Sequence, residues 1–363
     1  MKKPSNQLFR LIHAMTPAEK RYFKVHFTDG SNVMALLFDG INKQKEFDEE
    51  RLKEKLPPNI AKNLKVFKAQ LQNTVLKSLQ HSARNKQIYA RIRQGLEEVD
   101  ILFEKQLYDI ANDRLEKVKK LCEKHEAFTY LVEISYKRFS IRHVKLDGKG
   151  IIKDPIFQDL QQHIQKLSEH FEFSILSGKL MEMARSKSYN IGTEKERDDL
   201  RSLLQSAPLV TPPDQLPFQT KISRNSILTF IYALLEDQEQ EYQARKTNVE
   251  LFEQFPHFKQ SLPVKYIGVL RNYLNYCSAN KLHEEVRRVI ATAEAFAQKN
   301  KKLGVQLIHF YYANLGLWFN EGKFQLIIQE LEDKICNHLS SYKIEAERIA
   351  FLNFFHLAII QLA

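Results

Sequence analysis

Residues 303–338 read LGVQLIHFYYANLGLWF, then NEGK, then FQLIIQELEDKICNH. Two apolar-periodic runs around a short break containing Gly322 predict a pair of antiparallel helices, 303–320 and 323–338, with no catalytic signature. Upstream, 221–236 pairs with 238–254 and 264–279 with 282–299, so breaks near Gln238, Lys281 and Gly322 recur every 41 to 43 residues. The step from Gln106, in the break Lys105–Tyr108, to Gln238 is about three such periods. A fixed period of this size marks stacked helical hairpins, because one hairpin cannot bury its apolar face alone. Downstream, 342–361 reads as a further first helix, apolar nearly all round. It is expected either to continue the array in a longer chain or to pack on another molecule, with self-association through this helix as one outcome.

The rest of the chain suits the same class. Its 363 residues are ample for a core, and the 11 glycines and 11 prolines are too few for a turn-rich β fold. No proline falls between Pro58 and Pro155 or after Pro263, as helices require. The reading is all-α, organised as an N-terminal helical domain (1–85), a first repeat segment (86–205), a proline-rich connection (206–219) and a second repeat segment (220–363). Within the first part, Thr16-Pro17-Ala18-Glu19 is a strong helix start. Helices are expected at 32–43 and 49–55, then at 59–82 with Ile60, Leu64, Phe67, Leu71, Val75 and Ser78 on one face. Further helices are expected at 127–145, 155–190 and 194–205. Ser206–Phe218, with four of the prolines, is expected to run extended as the joint of the array.

Three dispersed cysteines make neither a disulfide framework nor a thiolate zinc site, which points to a reducing cytoplasm. The N-terminus lacks a secretory pattern, and the most apolar window, 349–363, is shorter than the roughly 20 residues of a membrane span. Net charge is +11, and nine of those charges lie in the acid-free stretch Lys55–Leu96. That stretch carries a second reading, a nucleic-acid-binding regulator whose Lys62, Lys65, Lys68, Lys77 and Arg84 contact phosphates.

The search for chemistry finds little. His163 and His170 are seven residues apart, and Glu169-His170 lacks the second histidine of a helical zinc motif. Ser177-Gly178-Lys179-Leu180 lacks the upstream glycine and the Ser/Thr of a phosphate loop, and Asp147-Gly-Lys-Gly150 lacks the repeated acids of a calcium loop. No cofactor, metal or enzymatic activity is expected.

Trp318, Gly322, Phe324 and Ile327 stand at the spacing of the tetratricopeptide signature, as do Leu102, Tyr108 and Ala111 in an earlier unit. On these residues the chain resembles the tetratricopeptide class of α-solenoids, with lengthened repeats over 86–363 and Gln106 and Lys281 in place of the turn glycine. As a whole, including LFRLIHAMTPAEKRYFKVHF, it looks like a bacterial family of such proteins with no assigned activity. The resemblance implies a right-handed superhelical stack that binds an extended peptide in its concave groove. In the register set by Cys277 and Trp318, that groove would present Arg271, Asn275 and Ser278 in one unit, and His309, Tyr312, Gly316 and Asn320 in the next.

Overall fold

A computed structural model describes residues 6–28, 32–83, 87–146, 155–186, 193–300, 303, 306–332 and 345–362. Arg84, the loop around Asp147–Gly150 and the end of the expected helix 323–338 lie outside them. Regular structure among the described residues is entirely helical. None of these helices is long and apolar enough to cross a membrane. The chain divides into two compact units, Met1–Leu121 with Ile141–Asp147, and Cys122–Ser140 with Gly148–Ala363.

The first unit opens with α1 (Gln7–Ala14), α2 (Pro17–His26) and α3 (Asn32–Asn42), followed by α4 (Glu49–Glu54), α5 (Pro58–Lys62) and α6 (Leu64–Ala83). The start of α2 is a full capping box: Glu19 N–H donates to Thr16 Oγ1 at 3.3 Å, and Thr16 N–H donates to Glu19 Oε2 at 2.9 Å. Helix α6 then supplies the floor of a core. Its Leu64, Leu71 and Val75 pack with Ile12, Phe23, Phe38, Leu52 and Ile60 from five other helices.

The single helix expected over 59–82 is broken at Asn63, which leaves helical geometry (φ −110°, ψ 24°). The side-chain amide of Asn63 donates to the Asn59 carbonyl at 3.3 Å, an instance of asparagine competing with the helix ladder for a backbone group. The unit continues with α7 (Ile88–Glu104) and α8 (Tyr108–Lys124), which meet where Gly95 faces Val118.

After α9 (Phe128–Leu146) and the 31-residue α10 (Ile156–Ser186) come α11 (Glu194–Leu204) and the short α12 (Ala207–Val210). The segment expected to run extended at 206–218 is packed instead. Leu209 and Leu216 are buried with Phe173, Leu180, Leu200, Ile227 and Ile231. The Arg224 guanidinium donates twice to the Leu209 carbonyl, at 2.7 and 3.1 Å. Prolines shaped this stretch without freeing it, because its leucines found a core.

The remaining helices form the stack: α13 (Phe218–Leu234), α14 (Gln238–Gln254), α15 (His257–Ser261), α16 (Pro263–Ala279), α17 (His283–Lys299), α18 (Ile308–Asn320), α19 (Phe324–Glu330) and α20 (Glu345–Leu362). Each long helix packs on the next, and α16 also meets α18, and α18 also meets α20, as in stacked hairpins. A core of Phe218, Phe252, Tyr266, Leu270, Tyr273, Leu274, Val289 and Phe310 runs from α13 to α18, and a second cluster of Ile308, Leu315, Ile327, Phe351 and Ala358 joins α18 to α19 and α20.

One device makes the turns. Gln106, Glu126, Glu236, Lys281 and Gly322 all adopt left-handed backbone, with φ between 50° and 70°. After each, the next N–H reaches back to the carbonyl five residues earlier: Leu107 to Leu102, Ala127 to Cys122, Asp237 to Tyr232, Leu282 to Cys277 and Lys323 to Trp318, at 2.8–2.9 Å. Each left-handed residue itself donates to the carbonyl three residues earlier. This is the Schellman helix ending, which satisfies carbonyls that the terminating helix would orphan. Leu102, Cys277 and Trp318 are thus the same position of the same turn. The turn expected near Gln238 is made at Glu236, so the last three endings are 45 and 41 residues apart and the period is not constant.

Candidate functional site

The expected groove residues lie on the stack around the Lys281 turn. There α16 ends, α17 folds back, and α18 packs beside α16. A cavity of about 380 Å³ opens between them, and its walls include Asn275, Ser278, His309, Tyr312, Gly316 and Asn320. Lys281, His283, Val286, Ala313 and Leu317 complete the lining. Arg271 is exposed one helical turn before Asn275 and is not among the lining residues. The floor is apolar, with Val286 and Leu317 2% and 5% exposed. The space exists because Ala313 and Gly316 are small; larger side chains on that face of α18 would fill it.

The lining is polar over an apolar floor. Two amides, a hydroxyl, a phenol, a lysine and two histidines converge on an apolar floor, and none of the eleven lining residues is acidic. The nearby carboxylate, Glu321, sits at the rim, where Lys323 holds it at 2.8 Å and Arg287 and His283 adjoin it. The hydrogen bond from Lys323, followed by the charge of Arg287, keeps its carboxyl below the ordinary range. Lys281 and His283 were not among the residues anticipated from the repeat register. The signal was present in the sequence, since Lys281 stands where a glycine is expected, but its place on the cavity wall follows from the direction of the turn.

A smaller cavity of about 160 Å³ lies between α14, α16 and α17, next to a polar network. Tyr273 donates to Glu285 at 2.9 Å and Tyr266 donates to Glu253 at 2.7 Å, while Lys259 and Arg288 pair with Glu253 and Glu285. Burial pushes both phenols well above the ordinary tyrosine range, helped at Tyr266 by the bond to Glu253 and at Tyr273 by the bonds to Tyr242 and then Glu285. These groups hold helices together and are neutralised by one another, so the network offers no poised acid or base.

The other sequence candidates are dispersed. Ser135 Oγ lies 3.3 Å from His163 Nδ1, whereas burial and the charge of Lys265 depress the pKa of His170. Ser177-Gly178-Lys179 is mid-helix in α10. No group of three His, Cys, Asp or Glu among the described residues is placed to hold a metal ion. The thiols Cys122 and Cys277 are buried and unpaired, and burial pushes them up to about 12 and about 11.

In the basic stretch, Lys62, Lys65 and Lys77 are exposed. Lys68 is not part of that outward face. Its Nζ pairs with Glu49 Oε2 at 2.6 Å and sits 4.8 Å from the centre of the Phe47 ring. Lys68 was counted with the phosphate-contacting residues of that stretch, but Glu49 and Phe47 at the start of α4 fold over it.

No protein-family model matches the chain, and no significant similarity to a curated protein or a solved structure is found.

Proposed function

We propose that this protein is a non-enzymatic, tetratricopeptide-like scaffold of the cytoplasm, and that it binds an extended segment of a partner protein in the groove between α16 and α18. The observation that carries this reading is the cavity itself: an apolar floor ringed by Asn275, Ser278, His309, Tyr312 and Asn320. Side-chain amides suit the N–H and C=O groups of an extended chain, and the floor suits one anchoring apolar residue. The left-handed turns and helix pairing support the likeness to that repeat class, with Gln106 and Lys281 at the glycine position.

Selection of a phage-displayed random peptide library on the full chain tests the reading. Peptides should be enriched on the native protein and lost on Gly316→Leu, which fills the cavity, and on the pair Asn275→Ala with Asn320→Ala. Enrichment that is indifferent to all three substitutions places binding elsewhere. Replacing Arg271 tests whether the bound segment continues along α16 beyond the cavity.

The exposed Lys62, Lys65 and Lys77 favour a second reading, in which the acid-free face of α5 and α6 contacts a nucleic-acid backbone. Binding of duplex DNA and of RNA that falls steeply with salt would support it; no retardation at low salt removes it.

A further inference from the structure

Helix α10 exposes more apolar surface than its own fold uses. Phe173 and Leu180 point inward and pack with Leu200, Leu209, Ile227 and Ile231. On the opposite side Ile164, Phe171 and Ile175 are 50%, 58% and 58% exposed. Ile164, Ser168, Phe171, Ile175, Gly178 and Glu182 follow one another in alternate steps of four and three residues. That spacing is the seam of one helix against another, here about 27 Å long at 1.5 Å per residue.

Gly178 provides a second observation. It lies inside a helix, where glycine costs stability relative to alanine, yet among the described residues no atom comes within 4 Å of the position a Cβ would take. No contact among the described residues explains the absence of a side chain there. A second backbone approaching from outside does.

We infer that α10 pairs antiparallel with α10 of a second copy of this chain. The charge pattern selects a copy over an unrelated helix. Glu172 and Lys179 are both exposed and flank the seam on the same side, seven residues apart. In a twofold pair that seats Ile175 of each copy over Gly178 of the other, Glu172 of each copy lies beside Lys179 of the other. A slip of one heptad instead brings Glu172 onto Glu172 or Lys179 onto Lys179. The seam is thus self-complementary in one register and repulsive in its neighbours, as an isologous interface requires.

Sedimentation velocity of the full chain over a roughly hundredfold concentration range tests this. A reversible dimer is expected. Phe171→Glu and Gly178→Val should each weaken it at least about tenfold, with far-UV circular dichroism unchanged because both sites are exposed. Glu172→Lys and Lys179→Glu should each weaken it, and the two together should restore it. A chain that is monomeric throughout overturns the inference. So does a dimer indifferent to Phe171→Glu, a charge swap that fails to restore pairing, or a dimer abolished only by Ile360→Glu on α20. Groove binding of peptides is read separately and can survive any of these outcomes.

Discussion

The carboxylate of Glu126, in the turn between α8 and α9, accepts the backbone N–H of Phe218 at 2.8 Å, capping a helix 92 residues further along the chain. Its second oxygen accepts from Gln219 at 3.2 Å. The residue at the cap position of α13 is Pro217, which makes no side-chain cap of its own. Glu126 supplies what that helix start lacks, an anionic acceptor for its first free donors.

This bond has a measurable pH signature. Burial is the largest influence on Glu126 and raises its pKa above the glutamate range, against the lowering effect of the two backbone donors and of Lys221 and Lys166. A raised folded-state pKa means that folding favours the protonated form. The contribution is fully present below the unfolded pKa of about 4.3 and is lost as pH rises through the higher folded value. Glu126→Gln keeps an acceptor oxygen without the charge, so its stability relative to the native chain should increase from pH 4 to pH 8. Glu126→Ala should instead cost about 1 kcal/mol, as loss of a cap does. Urea unfolding of both variants across that range checks the sign.

The left-handed turns set up a paired experiment. At Gly322 (φ +70°) nothing lies within 4 Å of an added Cβ, so the cost of Gly322→Ala is backbone strain alone, about 1–2 kcal/mol. Lys281 already bears that strain at φ 57°, and Lys281→Gly should stabilise the chain by up to about 1 kcal/mol. Because Lys281 also lines the groove, the same substitution should weaken peptides selected on the native protein. Thermal unfolding alongside peptide titration would show stability and binding moving in opposite directions; movement together would remove Lys281 from the binding surface.

Gly95 is needed for space. A Cβ there would collide with Val118 Cγ2 on α8, a side chain only 4% exposed. Gly95→Ala should cost about 1–3 kcal/mol as an overpacked helix contact. Adding Val118→Ala should recover part of that loss, giving a coupling energy in a double-mutant cycle that independent sites would not show.

Lys68 and Lys65 separate structure from surface. Lys68→Ala removes a partly buried pair with Glu49 and the contact with Phe47, and should cost about 1 kcal/mol. Lys65→Ala, at an exposed site, should lie within about 0.5 kcal/mol of the native chain. If nucleic acid binds, Lys65→Ala should lower the salt slope and Lys68→Ala should not.

Local patterns were legible wherever residues close in the chain decide the outcome. Thr16 and Glu19 specify the start of α2 between themselves, and the 3.6-residue spacing of Leu64, Leu71 and Val75 marks the buried face of α6. The helix pairs were legible for the same reason, as was the shared face that places Asn275 and Ser278 on α16. The break at Asn63 was also a local matter, but a single amide bonding back to Asn59 has no periodic signature.

What the sequence determined by itself is an all-α chain of helix pairs and the identity of most residues on one shared surface, because period and turn chemistry are local properties. Tertiary structure alone decided that Glu126 caps α13, that Glu49 claims Lys68 and that the leucines of 206–218 join a core. It also decided that Lys281 and His283 reach the cavity while Arg271 stays outside it. Each of these depends on which segments distant in the chain come within a few ångströms, and the energies concerned, hydrogen bonds, ion pairs and burial, act only at that range.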